Sequence, residues 1–205
     1  MIGFLTTSLP ISKPRIGFRA IMSITKQIFH FGMEIFVKIS ATIFLVNNYT
    51  AKHGDVKFIF STMWSQISIK NAWEVQNSLG DYWLITEQRR PITVLDTNQL
   101  HRDSKAFISD ELKLIKNEKA IAVTHHVPTF INYPAKYLHS SINEAFATEL
   151  SELIKASTLD YWLYGHHHIN TQDFKIGNTN LITNQLGYVK QNECLDFRLD
   201  AVIDL

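Results

Sequence analysis

Leu159–Phe174 reads LDYWLYGHHHINTQDF, three consecutive histidines directly behind an aromatic and apolar run, well inside a chain of 205 residues. The run Asp160–Tyr164 reads as a buried strand that meets Gly165, where the backbone can turn tightly. Side chains alternate in extended or turning backbone, so His166 and His168 can face one side while His167 faces away. That spacing makes a two-toothed clamp for a metal ion.

A second histidine group ends the stretch KAIAVTHHVP. Ala120–Thr124 reads as a short buried strand, and His125 and His126 follow it before Pro128. Ligand sites in α/β sheets gather beyond the carboxyl ends of the strands. Either group alone is more simply read as surface or core histidine. Two groups, each behind a strand, favour a metal site.

Around these strands the pattern is mixed. Val56–Thr62 alternates Val56, Phe58 and Phe60 as a strand does, and Ile92–Asp96 after Pro91 reads as another. Ser104 is a candidate N-cap for a helix carrying Phe107, Ile108, Leu112 and Ile115. Ser141 and Glu144 have capping-box spacing ahead of a stripe formed by Ile142, Phe146, Leu150, Leu153 and Ile154, which predicts a long helix. After Phe174 come short strands with turns at Gly177-Asn178 and near Gly187. Strands separated by helices and then closing strands predict a mixed α/β sandwich.

Composition excludes several classes. Charged residues make up 19% and the net charge is +1, so no broad field favours nucleic acid. Cys194 is the single cysteine, which excludes an intrachain disulfide and fits a reducing, cytoplasmic location. No apolar run reaches the roughly 20 residues that span a bilayer. Residues 1–44 are apolar, poorly phased and basic, with Glu34 the only acid. They lack the compact apolar core and cleavage site of a secretory signal. A basic, acid-poor start is a feature shared with organelle transit peptides, which composition alone does not establish.

Other histidine chemistries fit less well. The three histidines are contiguous rather than spaced as His-x-His-x-His, and Ile169-Asn170 stand where a metallo-β-lactamase-like site needs an acid and a histidine. There is no Gly-x-Ser-x-Gly elbow, phosphate loop or His-Glu-x-x-His helix. VTHHVP followed by YGHHHINTQDFKIGNTNLITNQLGY resembles the C-terminal half of the calcineurin-like metallophosphoesterases. VKFIFSTMWS, HRDSKAFISDELK and INEAFATELSELI are similar to that family's intervening strand and helices, in the same order. The likeness runs from Leu45 to Tyr188.

The resemblance implies an α/β/β/α four-layer sandwich, present here in part over residues 45–205, behind a divergent segment 1–44. It implies a metal-dependent phosphoesterase acting on a phosphate ester, with divalent manganese, iron or zinc as cofactor. His125, His166 and His168 take the positions of metal ligands, and His126 stands near the substrate phosphate. Asn184 and Tyr188, in the closing stretch similar to that family's ending, take the positions of substrate-binding residues.

The family's Asp-x-His, Gly-Asp and Gly-Asn-His-Glu segments have no counterpart in residues 1–48. Two cations about 3.5–4 Å apart need a bridging carboxylate. Three neutral imidazoles supply no charge, so they suit one zinc-like ion rather than a hydrolytic pair. Asp55 and Asp96 are the acids nearest the expected role. The expectation is a site impaired in catalysis by itself. The alternatives are a non-catalytic pseudoenzyme or interaction fragment, or a split enzyme completed by an N-terminal half.

Overall fold

The computed structural model describes residues 15–17, 35–39, 42–87, 89–193 and 195–205, with side chains described from Val46 onward. Most of segment 1–44, with Glu34, and also Cys194, lies outside the described residues. Three strands come from the first part of the chain: β1 (Arg15–Gly17), β2 (Ile35–Ile39) and β3 (Thr42–Val46), the last two paired as a hairpin. The boundary expected at Leu45 runs through β3.

Next come β4 (Tyr49–His53) and β5 (Val56–Ser61), paired antiparallel across a turn that leaves Asp55 exposed. Helices α1 (Ile69–Ser78) and α2 (Asp81–Leu84) lead to a two-residue pairing of β6 (Thr86–Glu87) with β7 (Arg90–Pro91), and then to α3 (Val94–Lys113). The remainder is β8 (Lys119–Thr124), α4 (Ser151–Lys155), β9 (Tyr161–Tyr164), β10 (Phe174–Ile176), β11 (Thr179–Thr183) and β12 (Val202–Asp204).

Six strands form one mixed sheet in the order β10-β11-β9-β8-β5-β4. Its middle four, β5, β8, β9 and β11, are parallel, and an antiparallel strand closes each edge. Strand alternation sends Ile59, Ala120, Ala122, Trp162 and Leu181 to one face, against Ile108 and Leu112 of α3 and Ile154 of α4. Phe58, Phe60, Ile121 and Val123 occupy the other face, where Ile203 of β12 packs. The observed class is mixed α/β, as the alternation of strands and helices predicts.

Two local expectations are corrected. Ile92–Asp96 is not a strand, because Thr93 caps α3 and exchanges hydrogen bonds with Asp96 three residues on. This reciprocal cap satisfies helix-start donors that an extended backbone would spend on a neighbouring strand. Asp96 also pairs with Arg90 at 2.7 Å, and the Arg90 hydrogen bond holds its carboxyl well below the usual carboxylate range. Ser104 therefore lies inside the helix, buried, and caps nothing.

The long helix expected from Ser141 is broken as well. Asn143–Ala145 is a single 3-10 turn, and α4 starts only at Ser151. The intervening backbone is extended: Val127 donates to Phe146 O at 3.0 Å and accepts from Thr148 N–H at 3.0 Å. Ser141 and Glu144 turn their side chains outward, to Glu74 and to the Ser68 N–H, instead of to each other. Tertiary partners outcompete the local cap.

Helix α3 docks on the sheet through the buried Lys57, whose Nζ lies 2.9 Å from the Glu111 carboxylate. It also clamps the loop that leaves β5. Asn98 exchanges hydrogen bonds with both backbone groups of Ile67 at 2.8 Å, and His101 Nδ1 donates to Trp64 O at 2.6 Å. No helix among the described residues is long and apolar enough to cross a membrane.

Because Thr93 starts this helix, Thr93→Ala should lower unfolding stability by about 1 kcal/mol. Urea titration followed by far-UV circular dichroism measures it. A variant as stable as the parent would speak against the capped start.

Candidate metal centre

The four parallel strands end on one edge of the sheet, so the segments after Ser61, Thr124, Tyr164 and Thr183 emerge side by side. Backbone bonds continue past the strand ends. His125 donates to Ser61 O at 3.3 Å, His126 to Thr62 O at 3.1 Å, and Gly165 to His125 O at 3.1 Å. This extension fixes where the first histidine side chains leave the sheet.

His125, His126 and His166 come together, each offering one ring nitrogen within 4.8 Å of the others. Their ring centroids are 5.4 Å apart for His125–His126, 4.5 Å for His125–His166 and 4.2 Å for His126–His166. Phe146 stacks on His166 at 4.7 Å and Trp64 lies 5.2 Å from His126, so aromatic walls close the group. Ser65 Oγ is 2.9 Å from His126 Nδ1, while His126 Nε2 is buried without a hydrogen-bond partner. A buried polar nitrogen left unsatisfied costs free energy unless something binds it.

Burial drives these rings to the uncharged form. It pushes His125 down to about 4 and His126 and His166 well below the ordinary 6.5, and neighbouring imidazoles push the same way. Neutral imidazole is the metal-ligating form. His166 (φ 78°) and His168 (φ 57°) both hold the left-handed backbone conformation, whereas Gly165 does not. The turn expected at the glycine thus falls on the histidines. Such conformations cost on the order of 1–3 kcal/mol in residues other than glycine and concentrate at binding sites.

His168 stands beside the group rather than in it. Its Nδ1 is 2.9 Å from Glu193 Oε2, and its proximity helps depress His125 and His166. His126, expected near a substrate phosphate, is a full member. His167 also lies outside the group. It is buried between Tyr133 and Tyr164, and its Nδ1 accepts from the Ile169 N–H at 3.2 Å.

Asn184 spends both ends of its amide on the Arg198 backbone, at 2.7 and 2.9 Å. Tyr188 is half exposed, with its ring edge-on to His168 at 4.6 Å. Asp96 belongs to the α3 cap and Asp55 to the exposed hairpin turn, so neither stands in the histidine group. That group contains no carboxylate among the described residues.

The sequence reading passed over Ser65, Gln185 and Glu193. Gln185 is buried and binds the clamp from below: its Oε1 accepts from His168 N–H at 2.8 Å, and its Nε2 donates to His167 Nδ1, Ile169 O and Thr183 Oγ1. Its place two residues beyond the end pair of β11 was the available signal.

No family profile matches the chain. An uncharacterized protein of Acanthamoeba polyphaga mimivirus is 36% identical over 174 residues, covering 80% of this chain and 60% of that protein. The chain thus spans about three-fifths of the length of the curated relative it matches. The crystal structure of phosphopantetheinyl hydrolase (PptH) from Mycobacterium tuberculosis superposes with a TM-score of 0.55 over 73% of this chain and 56% of that one, at 11% identity. The α/β fold is therefore shared with a solved hydrolase.

The donor set is one that could hold a metal ion: three imidazoles, close together, two of them buried and His166 partly so. The same burial sets a pH dependence. Below about 6.5 the unfolded chain takes up protons that folded His125, His126, His166 and His167 refuse, with His125 and His167 accepting theirs only at about 4. Stability in chelator should therefore fall as pH drops from 6.5 toward 4. Urea midpoints measured at pH 7, 6 and 5 read this out, and an unchanged midpoint across that range would contradict it.

Proposed function

We propose that this chain carries the histidine part of a calcineurin-like phosphoesterase metal centre, and that it binds one divalent ion without turning over phosphate esters by itself. The observation that carries the reading is the convergence of His125, His126 and His166 at the carboxyl edge of a parallel sheet. The hydrolase-like fold supports it at the level of architecture.

In this reading residues 45–205 form part of a four-layer α/β/β/α sandwich and 1–44 a separate leading segment. The apolar face carrying Phe58, Phe60, Ile121 and Val123 is the one a second sheet would cover. A divalent ion bound here would supply Lewis-acid polarisation of a phosphoryl oxygen. His125, His126 and His166 hold it, with His168 beside them, and Trp64 and Phe146 keep water from the rings. Asn184 and Tyr188 border the side on which a phosphate ester would enter.

Charge limits the chemistry. Neutral imidazoles do not offset the repulsion of a second cation, and no carboxylate joins the group among the described residues. The bridging aspartate and the proton donor for the leaving group would come from a complementing N-terminal half. Losing both removes the electrostatic and acid-base contributions that dominate such catalysis.

Two assays on the purified chain test the reading. Calorimetric titration should show one zinc or manganese ion bound, with affinity in His166→Ala falling by more than the roughly 10- to 100-fold that loss of an outer-shell partner costs. Hydrolysis of an aryl phosphate with manganese should be no faster than in His166→Ala. Absence of metal binding would overturn the site, and robust turnover abolished by His166→Ala would overturn its incompleteness.

A further inference from the structure

Glu193 lies beyond the part of the chain that resembles the phosphoesterases, yet it reaches back to the site. The chain turns over Val189–Gln191 and reverses at Asn192, whose backbone is left-handed (φ 59°). That reversal brings the Glu193 carboxylate to two donors: His168 Nδ1 at 2.9 Å and the Tyr188 N–H at 2.7 Å. The space it occupies exists because residue 187 is glycine. A Cβ there would stand 2.6 Å from Glu193 Cβ, 3.0 Å from its Oε2 and 3.3 Å from His168 Cβ, and Gly187 itself needs φ 61°. Turn, gap and carboxylate are fitted to one another.

We infer that Glu193 is a positioning residue for His168, the imidazole beside the close group that the phosphoesterase resemblance makes a metal ligand. A carboxylate accepts hydrogen bonds, so the Nδ1 facing it carries the hydrogen. Nε2 is then the one ring nitrogen with a lone pair for an ion. The Gln185 amide fixes the backbone of the same residue, accepting from His168 N–H at 2.8 Å, so ring and backbone are both held. A carboxylate behind a ligating imidazole raises its basicity and sets its orientation. It also lends a negative charge to a site whose described core is otherwise three neutral rings.

The inference rests on the metal-centre reading above, and the experiment separates the two. Long-range 1H–15N correlation spectra of the metal-free full chain should show His168 as the Nδ1–H tautomer, which requires no variant to fold. In zinc titrations Glu193→Ala should weaken binding about 10- to 100-fold, Glu193→Gln should recover part of the loss, and Gly187→Ala should mimic it. In a His168→Ala background, Glu193→Ala should cost nothing more. Thermal melts of each variant check that the fold is intact.

An Nε2–H tautomer of His168 in the parent chain overturns the inference. So does a Glu193→Ala loss of equal size with and without His168. If zinc binding is absent, or indifferent to His166→Ala, the metal-centre reading fails and the inference falls with it. If His166→Ala abolishes binding while Glu193 and His168 do not couple, only the inference fails.

Discussion

Three imidazoles packed with ring centroids 4.2 to 5.4 Å apart, two of them buried and the third partly so, coexist while they are uncharged. Much of the surrounding structure serves that condition. The parallel strands bring the rings to one edge, and Trp64 and Phe146 shield them. The loop after β5 is held by Asn98 and His101 of α3, and that loop presents Ser65 to His126. Helix α3 is therefore linked, through that loop, to the orientation of a ring in the site.

Part of the backbone strain falls in the same place. His166 and His168 adopt left-handed backbone that histidine does not favour. Gln185, the extended strand ladders and the Glu193 carboxylate hold it. Such a conformation persists only where its surroundings over-determine it. The group it supports is one of neutral donors that could hold a metal ion.

The strands that carry the site were legible in the sequence because their signals are local. Val56–Ser61, Lys119–Thr124 and Tyr161–Tyr164 are short, apolar and bounded, and each occurs as read within a residue or two. His125 and His166 followed from them. The helices were less legible. Thr93-x-x-Asp96 is a helix start that Pro91 and the apolar Ile92, Val94 and Leu95 disguised as a strand. The stripe from Ile142 to Ile154 has helical spacing, but the pairing of Val127 with Ala147 breaks it, and no local pattern encodes that bridge. Membership of His126 rather than His168 in the close group depends on a backbone bond to Thr62 and on Ser65, both more than 60 positions away in sequence. Glu193 was illegible for the same reason, since its partner His168 lies 25 positions earlier.

The central claim is that an ion entering this protein is held by imidazoles at the edge of the sheet. X-ray absorption at the zinc edge of the chain loaded with one equivalent tests it most directly. A first shell of nitrogen at about 2.0–2.1 Å, with outer-shell scattering from at least three imidazoles and one fewer in His126→Ala, is the predicted result. An oxygen-dominated shell without imidazole scattering, unchanged by His126→Ala, would contradict it.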